Sequence, residues 1–379
     1  MRIAYYNPVL SESWGAGVHA RELAKAWRAL GHEVLGLPGD SVNACREAAE
    51  QGFAWGGKLG MVVGRDLKRR ACARTHLPDL TAELDRFTPD VAVYRRVDHD
   101  YVADATLPYL GVPYIAEVNA VASVERERLH GRGSMPGERT RERRYLDGAR
   151  RVICAASDIA DEVREIGAHP RELRVVHNGV DTELFAPEAR PNARAQAFSE
   201  RFEFVVAYCA TPSPVHDFDK LLRAAGSLAR SNPDVGFLFV GPDEAMTLPR
   251  LKQAGVEESR VLCTGRVEHD AVPGHLVTAD VLWGAMNKET NLSLKVFEYM
   301  GLGKPVAMAS SGIEPSPVVE ADAGLVVPRG DAEGLAQAVR ELLAEPVRAA
   351  VLGSNGRAWV QQHATWKAVA ARMIEGILE

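Results

Sequence analysis

The sequence lacks the marks of several protein classes. Its five cysteines (Cys45, Cys72, Cys154, Cys209, Cys263) are scattered over 379 residues and form no C-x-x-C pair, so neither a disulfide framework nor a zinc site is suggested and no metal is expected. A reducing, cytoplasmic setting fits that usage. No apolar run approaches the ~20 residues of a membrane-spanning helix, and Met1-Arg2 opens straight into a strand-like segment instead of a signal peptide. Neither sign of charge dominates: a formal net charge of -6 gives no reason to expect a nucleic-acid partner. There is no internal repeat and no low-complexity tract. The length exceeds one ordinary core, so about two domains are expected.

What is present concentrates between Trp283 and Ser310. A polar turn, Asn287 to Asn291, leads through Leu292 into Ser293-Leu294-Lys295-Val296-Phe297-Glu298-Tyr299-Met300, where Leu294, Phe297 and Met300 recur at helical spacing. Gly301 and Gly303 stop that helix, and Pro305 to Ala309 reads as a strand. A helix starting on a polar loop offers unpaired N–H groups and the positive end of its dipole to an anion. Glu298, about a turn inside, has the chemistry to accept hydrogen bonds from two vicinal ribose hydroxyls. A plain surface ion pair between Lys295 and Glu298 is the other reading of the same residues.

Near the start, Ile3-Ala4-Tyr5-Tyr6 has the composition of a buried parallel strand. A helix follows with Leu23, Trp27 and Leu30 on its buried side, Gly31 ends it, and Val34 to Leu37 is the second strand. Between them, Gly15-x-Gly17-x-x-Ala20 matches the dinucleotide fingerprint, which would indicate a nicotinamide or flavin oxidoreductase. That fingerprint needs its first glycine directly after the strand, whereas eight residues separate Tyr6 from Gly15. Further strands are expected at 89–94, 112–119, 151–155, 173–176, 204–208 and 237–240, with amphipathic helices after Asp331 and around Trp359 to Ile377. Two stretches rich in arginine and lysine, Lys58–Arg74 and Glu125–Arg151, have the charge to attract an anionic acceptor or an acidic membrane surface. Acidic residues interleave the second, which favours a solvated helix-loop-helix around a mobile Gly131–Gly137 loop. The Ala-, Pro- and Arg-rich segment Ala186–Phe198 reads as a domain junction.

Lys295-x-x-Glu298-Tyr299-Met300-x-x-Gly303-Lys304-Pro305-Val306 resembles the donor-binding signature of GT-B glycosyltransferases, specifically the retaining family GT4. Val176-His177-Asn178-Gly179-Val180-Asp181-x-x-x-Phe185 is similar to that family's interdomain segment. The resemblance covers nearly the whole chain, strongly from Arg171 and more loosely before it. It implies an α/β protein of GT-B architecture, two Rossmann-like domains facing each other across a cleft. Residues 1–185 would form the acceptor-binding domain, 186–356 the nucleotide-sugar-binding domain, and a tail over 357–379 would pack back on the first.

The resemblance also assigns roles. Gly15 and Gly17 would lie near the donor phosphate or the acceptor. Asn119 stands where many relatives have a histidine facing the transferred sugar; an amide can hydrogen-bond a hydroxyl but is no base near neutral pH. Arg266 and Val267 match the loop that receives the nucleobase, with Glu268 and Asp270 placed to accept from guanine N1 and N2 or to cap the next helix. Glu289 resembles the first member of the family's paired glutamates, but the spacing to Glu298 is one residue too long, so Thr290 takes the expected position. Sugar hydroxyls would then meet Glu289, Thr290 and Asn291, with the amides of Leu292 and Ser293 following. The clearest departure is in the cations that neutralise the diphosphate. Thr211 and His216 replace an expected arginine and lysine, and Asp217 replaces a glycine. Lys295 and the Ser293 helix start, assisted by a protonated His216, would have to carry that charge.

The function these residues and the resemblance imply is retaining transfer of a sugar from a nucleoside diphosphate, GDP slightly ahead of UDP, without metal or other cofactor. The acceptor would be a soluble small molecule, such as a natural-product intermediate. Sugar-nucleotide epimerisation, transfer to a surface polysaccharide or lipid-linked sugar, and a degenerate nucleotide-binding relative are the alternatives.

Overall fold

The computed structural model describes residues 1–10, 15–38, 44–45, 58–97, 100–130, 137–212, 216–286, 293–310 and 316–379. They form two compact units, Met1–His177 with Val369–Glu379, and Asn178–Ala368.

The first unit holds strands β1 (Arg2–Asn7), β2 (Glu33–Pro38), β3 (Val91–Arg95), β4 (Tyr114–Val118), β5 (Arg151–Cys154) and β6 (Leu173–Val175). They pair in parallel in the order β2-β1-β3-β4-β5-β6. The second holds β7 (Phe204–Cys209), β8 (Val235–Val240), β9 (Val261–Cys263), β10 (Val281–Ala285), β11 (Val306–Ser310) and β12 (Gly324–Pro328), parallel in the order β12-β11-β10-β7-β8-β9. Central strands covered on both faces read as continuous apolar runs, which is why Ile3–Tyr6 and Phe237–Val240 were legible and are fully buried. In each sheet the order reverses once, between β1 and β3 and between β7 and β10. Crevices for ligands open beyond the carboxyl ends of strands at such reversals.

Several expectations need correction. Leu30 is exposed, because Gly31, at φ 85°, turns the chain away immediately after it. The division falls at His177/Asn178, ahead of the segment read as a junction. Within that segment Asn192 caps the helix Ala193–Ser199, whose Ala195 and Phe198 enter the second unit's core beside Phe185. The return to the first unit comes at Val369 and not at residue 357. Helix Pro346–His363 stays in the second unit, where Arg357 donates to the carbonyls of Phe185 (2.7 Å), Gly301 (2.8 Å) and Thr182 (2.8 Å). The final segment is fastened to the first unit by Trp27 Nε1 donating to the Ala370 carbonyl and Arg151 Nη1 to that of Met373, both at 3.0 Å.

The Glu125–Arg151 region is two helices, Ala122–His130 and Glu138–Gly148, but it is not simply solvated. Glu138 and Glu142 are buried: Arg126 grips Glu138 with both guanidinium nitrogens (2.5 and 2.7 Å), and the Ser123 amide donates to Glu142. Carboxylates leave water only when such donors replace it. Of the expected loop there, residues 131–136 lie outside the described residues; Gly137, at φ 77°, precedes the second helix.

One contact in the second unit makes a sharp test. A Cβ on Gly353, inside the helix Pro346–His363, would sit 2.1 Å from the Gly303 carbonyl oxygen. Helix propensity alone favours Gly353→Ala by about 1 kcal/mol. The clash reverses that sign, and urea unfolding is expected to show a loss of about 1–3 kcal/mol. A stabilised variant would refute this packing.

Candidate active site

At the reversal in the second sheet, β7 ends at Cys209, β10 ends at Ala285, and the helix Leu294–Gly301 starts at Ser293. Ser293 has extended backbone (φ -58°, ψ 142°) and its hydroxyl makes no cap bond. Five of the expected contacts frame this place. Lys295 lies in the first turn of the helix with its side chain buried; Nζ stands 4.7 Å from the centre of the Tyr208 ring and has no hydrogen-bond partner among the described residues. Burial lowers its pKa to about 7, against the opposing pull of Cys209 and Glu298. Gly284 on β10 lets Met308 lie close, since a Cβ there would sit 2.9 Å from Met308 Sδ, with Lys295 Cε at ordinary contact distance (3.5 Å).

His216 lies in the same place, its backbone bridging Met286 just past β10. Its Nδ1 is 3.1 Å from the Thr211 carbonyl, which fixes Nδ1 as the protonated nitrogen of the neutral ring. Burial first, and the Lys295 charge second, lower its pKa to about 3. The expectation that a protonated His216 assists is therefore corrected: the ring is neutral throughout the physiological range. Thr211 itself is exposed and contributes its carbonyl. Asp217 caps the helix Phe218–Ser231 by accepting from the Lys220 amide.

Glu298 is buried, and the reading of a Lys295–Glu298 surface pair fails on that ground. Its Oε1 is 2.7 Å from Nε2 of His269, whose ring lies 5.2 Å from that of Phe185. Sequence reasoning missed His269. It stands between Glu268 and Asp270, both of which were considered, and only the fold brings the short helix His269–Ala271 against the middle of Leu294–Gly301. Glu268 is at the start of that short helix, Arg266 is exposed after β9, and Val267 packs half-buried against the core. Glu289, Thr290, Asn291 and Leu292 lie outside the described residues.

In the first unit a second set of polar groups gathers at the carboxyl ends of β1, β3 and β4. Gly15 and Gly17 open the helix Gly15–Ala29, with Gly15 exposed and Gly17 buried. From this helix His19 Nε2 reaches to 2.8 Å from Glu117 Oε1, and Tyr5 donates to Oε2 at 2.9 Å. Arg95 lies 3.7 Å from the same carboxylate and donates to the Ala16 carbonyl. Burial alone would raise the Glu117 pKa, but the attraction and hydrogen bond of His19, with Arg95 and Tyr5, bring it down to about 2. Asn119, just past β4, turns its amide oxygen to the Arg95 guanidinium at 2.9 Å. It is a fastened amide, not a loose strand-end residue.

Two open parallel α/β units, each with polar groups at its strand reversal, are the parts of which the GT-B fold is made. Residues 14–184 match the model of Glycosyltransferase Family 4, and residues 203–345 that of Glycosyl transferases group 1. The chain belongs to this glycosyltransferase family. Among curated relatives it is 34% identical, over 52% of its length and 54% of the other's, to a GDP-mannose-dependent alpha-(1-6)-phosphatidylinositol monomannoside mannosyltransferase of Mycolicibacterium smegmatis. It is 30% identical, over 66% and 58%, to a D-inositol 3-phosphate glycosyltransferase of Mycobacteroides abscessus. The chain thus spans little more than half the length of these relatives. Among solved structures it resembles sucrose-phosphate synthase of Thermosynechococcus elongatus (TM-score 0.74, 19% identity, 98% and 97% covered). The UDP complex of Anabaena HepE gives TM-score 0.72 at 17% identity, with 99% of each chain covered.

A buried ammonium with no hydrogen-bonded anion among the described residues works against folding. Because its folded pKa is below the unfolded value, the unfolded chain binds more protons between about pH 7 and ~10.4, so stability should climb with pH across that window. Lys295→Met is expected to stabilise the protein at pH 7 by about 1–4 kcal/mol and to flatten that slope. A destabilised variant, by urea unfolding, would place an unseen counter-charge on Lys295.

Proposed function

We propose that the protein moves a glycosyl group from a nucleoside-diphosphate sugar to a hydroxyl of a polyol acceptor, with retention of anomeric configuration. The observation that carries this reading is Lys295, a buried cation without a hydrogen-bond partner among the described residues, beside the Ser293 helix start. An ammonium in that state gains a counter-ion when a diphosphate arrives, and a helix start adds to the attraction. On the same helix Glu298, fixed by His269 through one oxygen, has lone pairs for the ribose hydroxyls.

In the transfer, the bond from the anomeric carbon to the phosphate oxygen breaks and the acceptor oxygen bonds to that carbon on the same face. The acceptor proton passes to the departing diphosphate, so no protein nucleophile takes part. Lys295 and the helix start meet the charge that develops on the leaving group, a task that grows towards the transition state. They also supply positive charge without calling for a divalent ion. Asn119, held by Arg95, orients a sugar hydroxyl, and Glu289, Thr290 and Asn291 are assigned the others.

GDP is favoured as the carrier. The M. smegmatis relative's name specifies GDP-mannose, and Glu268 and Asp270 lie exposed beside the loop after β9. The acceptors named for the two relatives share an inositol ring, so we favour a free or lipid-linked inositol over the natural-product intermediate that composition suggested.

Calorimetric titration should show GDP binding more tightly than UDP. Glu298→Gln should weaken it by about 1.5–3 kcal/mol, the range for a hydrogen bond to a charged group. Wild-type affinity in the variant would end the ribose assignment.

Because the free Lys295 titrates near pH 7 and a bound diphosphate holds its proton, binding should take up a proton at pH 8 and almost none at pH 6. Titration in buffers of different ionisation enthalpy reads this directly. Equal proton uptake at both values would exclude Lys295 as the diphosphate's partner.

Turnover is tested with GDP-mannose and either inositol phosphate or phosphatidylinositol vesicles, in chelator, with the product anomer read by NMR. Conversion of the donor without acceptor would indicate an epimerase. Binding without turnover would indicate a degenerate relative.

A further inference from the structure

The first unit contains a cluster that the transfer reaction does not use. Cys45, buried, precedes the long helix Lys58–Phe87, and Cys72 and His76 follow one turn apart on that helix. One ligand atom from each, two sulfurs and an imidazole nitrogen, all lie within 4.8 Å of one another. Side chains four apart on a helix share a face, so Cys72 and His76 form a ready chelating pair, and Cys45 brings its sulfur to them from outside that helix.

We propose that Cys45, Cys72 and His76 bind a soft divalent transition ion, of which zinc fits best. Two thiolates and an imidazole select zinc over magnesium or calcium, and the short separations suit bonds of about 2.3 Å to sulfur and 2.0–2.1 Å to nitrogen after slight contraction. Binding exchanges the two thiol protons for the ion and releases them to solvent. Three protein ligands leave the fourth tetrahedral position to water. The ion would tie Cys45 to the helix at a point beside the first unit's core.

The test uses the full chain, reduced and stripped by a chelator, and titrated with cobalt and then zinc. Expected are a near-ultraviolet thiolate-to-cobalt charge-transfer band, visible bands of tetrahedral strength, and their stoichiometric loss on adding zinc. Cys72→Ser and His76→Ala, both at half-buried positions, should each lose the band while GDP affinity stays unchanged. The unfolding midpoint should rise with zinc in the wild type and not in either variant. Absence of the band in folded wild-type protein, or the same band in both variants, would overturn the proposal. So would a Cys45–Cys72 disulfide that, once reduced, leaves protein that takes up no metal.

Discussion

Around Lys295 the second unit is built to keep an ammonium dry. The ring of Tyr208 lies against it, a contact that is attractive for a desolvated cation. The Tyr299 hydroxyl accepts from the Cys209 amide at 2.7 Å, which fixes the end of β7 beside it. The cost of burying the charge is set against this apolar and aromatic wall, not against a carboxylate. Glu298, three residues on, is turned to His269 and stabilises the lysine only through its field. On the proposed reading an arriving anion would offset that cost, and the positive end of the helix would add to the attraction.

The two units are both six-stranded parallel α/β sheets, with different strand orders, and they hold the charges at their reversals differently. At the reversal of the first sheet the buried charge is Glu117, and it is surrounded: His19, Arg95 and Tyr5 all turn to it. Its low pKa keeps it charged, so it organises its neighbours and takes no proton at physiological pH. Arg95 joins it to Asn119, and the start of the helix Gly15–Ala29 is drawn in through the Ala16 carbonyl. One unit thus holds a completed ion network, and the other a lysine with no hydrogen-bond partner among the described residues. Preorganised dipoles and an unsatisfied charge are what a phosphoryl leaving group requires of a protein.

The elements that could be read from sequence were those whose signal is local. Ile3–Tyr6 and Phe237–Val240 are unbroken apolar runs, and the helix from Leu294 carries its own periodicity, stop and motif. What escaped depends on partners distant in the chain. His269 is an ordinary polar residue until it meets Glu298, and Glu138 and Glu142 look like a solvated face until Arg126 and Ser123 are placed against them. His216 shows the limit most clearly: its identity suggested a charge, and the field of Lys295 together with burial removes it. The boundary at His177 was hidden for a related reason. Composition marked a polar, proline-containing stretch, while the side chains that decide membership, Phe185 and Phe198, were already committed to the second core.

The first unit takes its last segment, Val369–Glu379, from the part of the sequence that follows the second. The indole of Trp27 and the guanidinium of Arg151 have their acceptors at Ala370 and Met373. On a ribosome these donors emerge some hundreds of residues before their acceptors, and meanwhile a complete second unit is made. For that interval water must hold two groups that are destined for the interior. Domains otherwise complete themselves in the order of synthesis. Here the order is broken, and the earlier unit waits for the later one, so a chain stalled before Val369 would leave an unfinished surface on its oldest part.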